Sequence, residues 1–255
     1  MRRLSAGSAL LLTLVGFAAR ADPQGLSTGV PVQIEDALPV RLGGFQLQGA
    51  ALFTHDTRNR RGSDLWALSP SVKLGPLPGL QIDATPSYSI GDQSGAGSGN
   101  GTVSALYQFT RNSTNLPALA LHGYYATPYG SGHKSAQYTL RAIATKYLGA
   151  FEQSPRLHLN LSWYHLTQPS RTQRDDQLEI AVGMSALVAK STAVVADVVH
   201  GARPDKGASQ TFVDVGLRHE ISETWAISGG VGAGLGQQSP GFRVFFALQK
   251  DLKLF

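Results

Sequence analysis

Two residue patterns in this chain of 255 residues could carry chemistry. The first is histidine near serine. His122, His158, His165, His200 and His219 all have serines nearby. A Ser–His pair oriented by a third polar group would serve a hydrolase or an acyltransferase. None of the five lies in a distinctive motif, so catalytic residues are not assigned and the chain is not expected to be an enzyme. The second pattern is glycine. Residues 95–101 read Gly-Ala-Gly-Ser-Gly-Asn-Gly, and in 230–236 glycine alternates with Val231, Ala233 and Leu235. Neither run is a phosphate cradle. The first lacks the Lys-Ser/Thr that follows such a loop, and the second has the wrong spacing for a dinucleotide fingerprint. No His or carboxylate pair shows strong metal-ligand spacing, so no metal or cofactor is expected. Asn100-Gly-Thr, Asn112-Ser-Thr and Asn160-Leu-Ser match glycosylation sequons that are common by chance.

A third set is more informative because of where it falls. Asp83, Arg141, Glu179, Asp197, Asp214, Arg218 and Arg243 all sit inside apolar runs, on the polar parity of an alternating pattern. Leu80, Ile82, Ala84, Pro86, Tyr88 and Ile90 alternate with Gln81, Asp83, Thr85, Ser87 and Ser89. Leu157, Leu159, Leu161 and Trp163 alternate with Arg156, His158, Asn160, Ser162 and Tyr164. Period two is the mark of a strand with two unlike faces. It recurs about twelve times between residues 44 and 255, in segments of roughly 9–13 residues, which suffice to cross a membrane when tilted. Connections after odd-numbered segments are polar or glycine-rich, and those after even-numbered segments are shorter turns. Aromatic residues such as Trp66, Tyr88, Phe109, Trp163 and Trp225 lie near segment ends, as interfacial girdles require.

The predicted fold is therefore all-β: a transmembrane, antiparallel, up-and-down barrel of about twelve strands, of the outer-membrane type. The runner-up is a soluble sandwich, which would not explain charge placed well inside the long strands. Glycines 230, 232 and 234 then fall on the lumen face, where little side-chain volume is wanted. The final strand carries one irregularity. Phe255 shares parity with Lys253 and Asp251, so either residues 254–255 overhang or a bulge shifts the register.

The N-terminus reads as a signal peptide over residues 1–21. Arg2 and Arg3 precede a short apolar core, and Ala19-Arg20-Ala21 is a small-x-small cleavage pattern. Removing it takes Arg2, Arg3 and Arg20 away, so the net charge of +5 falls to +2 and nucleic acid is not an expected partner. No cysteine is present, so the fold must hold by packing and hydrogen bonds. Residues 22–43, punctuated by Pro23, Pro31 and Pro39, are expected to be an irregular periplasmic segment or a plug. Residues 44–255 form the barrel domain.

The last third resembles a known family. Thr-Phe-Val-Asp-Val-Gly-Leu-Arg, Trp-Ala-Ile-Ser-Gly-Gly-Val-Gly-Ala-Gly-Leu-Gly and Ser-Pro-Gly-Phe-Arg-Val, all within residues 203–250, look like the C-terminal repeat of the MetA-pathway of phenol degradation family. Gly241 stands where that pattern would have an acidic residue. The resemblance implies an outer-membrane barrel that passes small, hydrophobic or aromatic, organic compounds. Its partners would be outer-membrane lipid, those solutes and the barrel-assembly machinery. The seven inward charges would line the path and set selectivity, or would pair with one another and brace the wall. Two other functions stay open: a lipid-modifying enzyme of the outer membrane, and a structural or surface-interaction barrel.

Overall fold

The computed structural model describes residues 22–57, 62–93, 96–130, 135–151, 153–236 and 238–254. The expected signal peptide lies outside the described residues. Twelve strands follow one another: β1 (Gly44–Asp56), β2 (Ser63–Leu77), β3 (Leu80–Gly91), β4 (Ser98–Thr110), β5 (Ala118–Gly130), β6 (Gln137–Tyr147), β7 (Arg156–Leu166), β8 (Asp176–Ala189), β9 (Thr192–Ala202), β10 (Ser209–Glu220), β11 (Trp225–Leu235) and β12 (Phe242–Lys253). Each pairs antiparallel with its neighbours in sequence, and β1 pairs with β12 to close the barrel.

Closure leaves no sheet edge, so the wall satisfies its own backbone. The outward face is apolar: Leu161, Ile180, Val215, Val231 and Phe246 are all around half exposed. A face this continuous has no partner in water, and a bilayer is the solvent that suits it. Aromatic contacts gather towards the strand ends. Phe53 packs on Trp66 and Phe242 at the end with the longer loops. Tyr107 meets Phe109, and Lys250 lies over Trp225, at the short-turn end.

Local chemistry sets the turns. Between β2 and β3, Pro78 fixes one φ and Gly79 takes φ of +80°, so two residues reverse the chain. β2 runs through Gly75 to Leu77, with a register shift between Leu74 and Leu77. Gly75 belongs to the strand because the carbonyl oxygens of Val40 and Arg41 lie where a Cβ would stand. Pro70 and Pro86 face one another across the β2–β3 ladder. That ladder pairs Leu68 with Tyr88 and Val72 with Ala84, and no pairing joins the strands between. Neither proline has an N–H to give. In β12 the register against β1 and β11 runs unbroken and the strand stops at Lys253, with no bulge, and Leu254 just beyond it still donates its N–H to Gly43 O at 2.8 Å.

Inside the wall lie residues 22–43. The wall's inner face turns apolar where this segment packs. Leu26, Val32 and Ile34 meet Ala181, Val195 and Val199, and Ala37 meets Leu106, Ala118, Ala120 and Ile143. Glycines 216 and 230 clear the way for the segment: a Cβ on Gly230 would stand 2.4 Å from the Pro31 carbonyl oxygen.

If the outward belt faces lipid, Val215→Arg at mid-strand lowers folding stability in bilayers by about 2–4 kcal/mol. In water, an exposed Val→Arg change would be nearly neutral. Urea unfolding in lipid vesicles, with wild type alongside, separates the two.

Candidate functional site

The inner segment is held by side chains from nearly every sector of the wall. Asn160 on β7 reads the backbone of Glu35 twice. Its Oδ1 accepts from Glu35 N at 2.8 Å, and its Nδ2 donates to Glu35 O at 2.8 Å. Asp197 accepts from Ile34 N at 2.7 Å, Thr145 from Ala37 N at 3.0 Å, and Gln81 from Val40 N at 2.8 Å. Gln108 donates to Ala37 O at 2.9 Å. These bonds stand in for the sheet partners that an irregular, buried backbone lacks.

Glu35 is the centre of the largest polar cluster. Its carboxylate accepts from Tyr124 Oη at 2.7 Å, from Thr28 Oγ1 at 3.1 Å and from Arg141 Nη1 at 3.1 Å, and it meets His122 Nδ1 at 2.9 Å. Burial raises its pKa, but His122, Arg141 and Tyr124 outweigh this and hold it well below the carboxylate range. Asp36 beside it behaves in the opposite way. Burial pushes its pKa to about 7, only partly offset by Arg156 and by the amides of Leu26 and Leu38, and Asp22 adds to the rise.

The seven charges singled out in the sequence all face inward and fall into three groups. Asp83, Arg141 and Glu179 join the Glu35 cluster. Asp83 accepts from Gln81 at 3.0 Å and Ser104 at 3.1 Å, Arg141 donates to Ser162 at 2.8 Å and to Thr28, and Glu179 accepts from Tyr164 at 2.8 Å. Asp197, Asp214 and Arg243 form a second group. Arg243 grips Asp214 through two nitrogens and lies over the rings of Phe212 and Phe245, while Asp197 faces Asp214 across the β9–β10 ladder. Gly232 leaves room for this pair, since a Cβ there would collide with Asp214 Oδ1. Arg218 stands apart, donating to Asp22 O at 3.2 Å, Ser228 at 3.4 Å and Gln249 at 3.0 Å. The alternation found these residues, including the Asp214–Arg243 pair, but not the partners that the inner segment supplies. Glu35, Asp36 and Thr28 sit in a segment without periodicity, which gave no signal.

Ser104, His122 and Glu35 have the connectivity of a hydrolytic triad: Ser104 Oγ is 3.0 Å from His122 Nε2, and Nδ1 faces Glu35. The chemistry does not follow. His122 Nε2 also faces Asp83 Oδ2 at 3.3 Å, and the Ser104 hydroxyl donates to that same carboxylate. With a carboxylate at both nitrogens, the ring serves as a donor rather than as the base for Ser104. His158 bridges Thr145 and Ser185, at 3.1 Å each, and braces the opposite wall. His165, His200 and His219 pair near strand ends with Asp176, Thr211 and Thr192. Among the described residues, no three His, Cys, Asp or Glu side chains converge at metal-binding distance.

Two spaces remain. A cavity of about 940 Å³ opens at the short-turn end, between the inner segment and the wall. Arg41, Lys73, Arg111, Arg156, Lys190 and Arg218 line it, against four carboxylates. At the opposite end the lumen is open along β1–β4. Ala50, Leu52, Ser69, Thr85, Ser87 and Thr102 point inward there and are only half-buried. On the outer wall, Leu140, Trp163, Leu178, Ile180 and His200 border an apolar groove of about 730 Å³.

The two segment carboxyls imply opposite pH effects. Asp36 binds a proton in the folded state across the window from its ordinary 3.8 to about 7, so its ionisation lowers stability as pH rises through that window. Glu35 contributes fully above its ordinary 4.5 and loses that contribution on acidification. Arg156, Asp22 and Arg218 are the charges facing Asp36. Asp36→Asn therefore raises the thermal midpoint more at about pH 8 than at about pH 5. Equal gains at both, read by heat-dependent gel mobility, would contradict this account.

No family model and no curated protein sequence matches the chain. Solved structures do. The COG4313 outer membrane channel from Pseudomonas putida F1 superposes with a TM-score of 0.63 at 15% identity, over 85% of this chain and 97% of that one. The NanC porin gives 0.55 at 7% identity, over 83% and 99%. The KdgM porin gives 0.51 at 13% identity, over 81% and 98%. At such identities the likeness is one of fold: this chain is a closed twelve-strand antiparallel barrel like those of outer-membrane channels.

Proposed function

We propose that the protein is an outer-membrane channel for the passive passage of small organic solutes, and that it is not an enzyme. The observation that carries this is the pairing of an apolar outer face with a polar interior that keeps two solvent spaces, one at each end. A wall built only for stability would fill its interior with side chains, as barrels of eight strands do. The porin and channel folds among the solved relatives support the same function. KdgM has been captured in complex with disordered oligogalacturonate. Residues 1–21 would direct export, the assembly machinery would insert the barrel, and outer-membrane lipid would surround it. Residues 22–43 would act as a plug rather than a separate domain. A role close to the MetA-pathway family, with hydrophobic or aromatic solutes, rests on the C-terminal repeat and on the apolar outer groove. The lipid-modifying alternative is disfavoured by the way His122 is held.

The vestibule gives a preference among solutes. Arg41, Arg111 and Lys190 line it with no acidic partner among the described residues, so its field favours anions. Refolded protein in a planar bilayer is expected to give small, discrete conductance steps with a modest anion preference. Gly230→Val pushes on Pro31 and loosens the plug, so its steps should be about twofold larger or more, in line with a widened lumen. A folded wild type that never conducts would sink the channel assignment and bring lipid hydrolysis forward as the next assay.

A further inference from the structure

The channel assignment leaves open where solute passes the plug, since the inner segment crosses the barrel's middle. Around most of the circumference the gap is filled. Thr145, Ser185 and Val195 are fully buried, either hydrogen-bonded or packed on the segment. The sector formed by β1, β2 and β3 differs. Gln48 faces Ser71 across β1–β2, and Lys73 faces Asp83 across β2–β3. Ser71 and Lys73 are two apart on one strand, so all four side chains make a single inward patch. Each is more than nine-tenths buried. Yet Gln48 Oε1, Ser71 Oγ and Asp83 Oδ1 have no hydrogen-bond partner among the described residues.

Three unpartnered oxygens in one buried patch are costly to leave dry. On the far side of the lumen the inner segment meets Asn160 Oδ1 and Thr145 Oγ1, and a single carboxylate oxygen, Asp197 Oδ1, is left without a partner there among the described residues. Here the segment offers one contact, Ser27 Oγ, which accepts from Lys73 Nζ. The patch also lies between the two solvent spaces. Towards the long loops, the half-buried Ser69, Thr85 and Ser87 line the open lumen. Towards the short turns, Lys73 itself lines the vestibule with Gln46 and Gln81.

We propose that the permeation path is this seam between the inner segment and β1–β3, not the barrel axis, and that Lys73 is its selectivity residue. The unpaired oxygens of Gln48, Ser71 and Asp83 receive water and the donor groups of passing solutes. Lys73 supplies the positive charge at the narrowest point. Its bond to Ser27 is the only side-chain bridge from these four residues to the inner segment among the described residues, so its movement opens the way without undocking the segment. The seam rests on the channel assignment above, and it deepens that assignment.

The chain has no native cysteine, so single cysteines report position cleanly. Ser71→Cys, Ser87→Cys and Ser185→Cys would be refolded and recorded in planar bilayers beside wild type. Separate samples of each would be treated with cationic trimethylammonium-ethyl methanethiosulfonate or with its anionic sulfonatoethyl counterpart. Modification at Ser71→Cys should cut the conductance step by about half or more, because it adds bulk and charge at a low-dielectric constriction. The two reagents should move the reversal potential in opposite directions. Ser87→Cys should react with a smaller effect, and Ser185→Cys should show none. Lys73→Met should shift wild-type selectivity about twofold towards cations, by removing the focused charge. If wild type conducts but modified or unreactive Ser71→Cys keeps its full conductance and selectivity, the seam is wrong and the channel stands. If Ser185→Cys is the position that blocks, the path runs on the opposite side. If wild type is silent while folded, the channel assignment and the seam fall together.

Discussion

The Glu35 carboxylate is the fixed point of the lumen. It gathers Thr28 from its own segment, His122 and Tyr124 from β5, and Arg141 from β6. Its peptide group is read on both sides by Asn160 from β7. A buried carboxylate with fewer donors would revert to its neutral form. With four, it stays charged and becomes the anchor for everything around it. His122 then orients Ser104 and Asp83, and Arg141 orients Ser162 and Tyr164. The rest of the polar interior follows from that one charge having been placed in the barrel.

The anchor also explains why the inward charges act as braces. A wide lumen would leave them hydrated and free to steer ions. Here Asp83, Arg141 and Glu179 are committed to the Glu35 cluster, and Asp214 to Arg243. Arg41, Arg111 and Lys190 at the vestibule, by contrast, have no ion-pair partner among the described residues.

Most of the wall was legible in the sequence, because closure in a bilayer imposes one rule on every strand: alternate residues meet opposite solvents. Twelve segments and their parity follow from it, whereas connection length does not: the links after β4 and β6, Arg111–Pro117 and Leu148–Pro155, are longer than most of those at the other end. The glycines of β11 obeyed the rule, and packing gave the finer reason. Gly230 makes room for Pro31, and Gly232 for the Asp214 carboxylate. The exceptions have local causes. β2 carries a glycine, Gly75, inside the strand because residues 40–41 dock there. Phe212, Phe245, Leu106 and Ile143 break the polar parity because each covers an arginine or an apolar part of the inner segment. The placement of Glu35, Asp36 and Thr28 was not legible. Their backbone repeats nothing, and their partners on the wall are more than eighty residues away along the chain for Glu35 and more than a hundred for Thr28.

Pro70 and Pro86 give the wall an uneven hoop. A barrel resists lateral pressure through its ring of interstrand hydrogen bonds, which share tension around the circumference much as staves share it through a band. Where two prolines face each other the band is open, between Leu68–Tyr88 and Val72–Ala84. No backbone pairing spans that window. Acyl-chain pressure and thermal breathing therefore concentrate their strain at β2–β3, while the other junctions stay stiff. The barrel has a compliant side and a rigid side, and the inner segment's apolar contacts are on the rigid one.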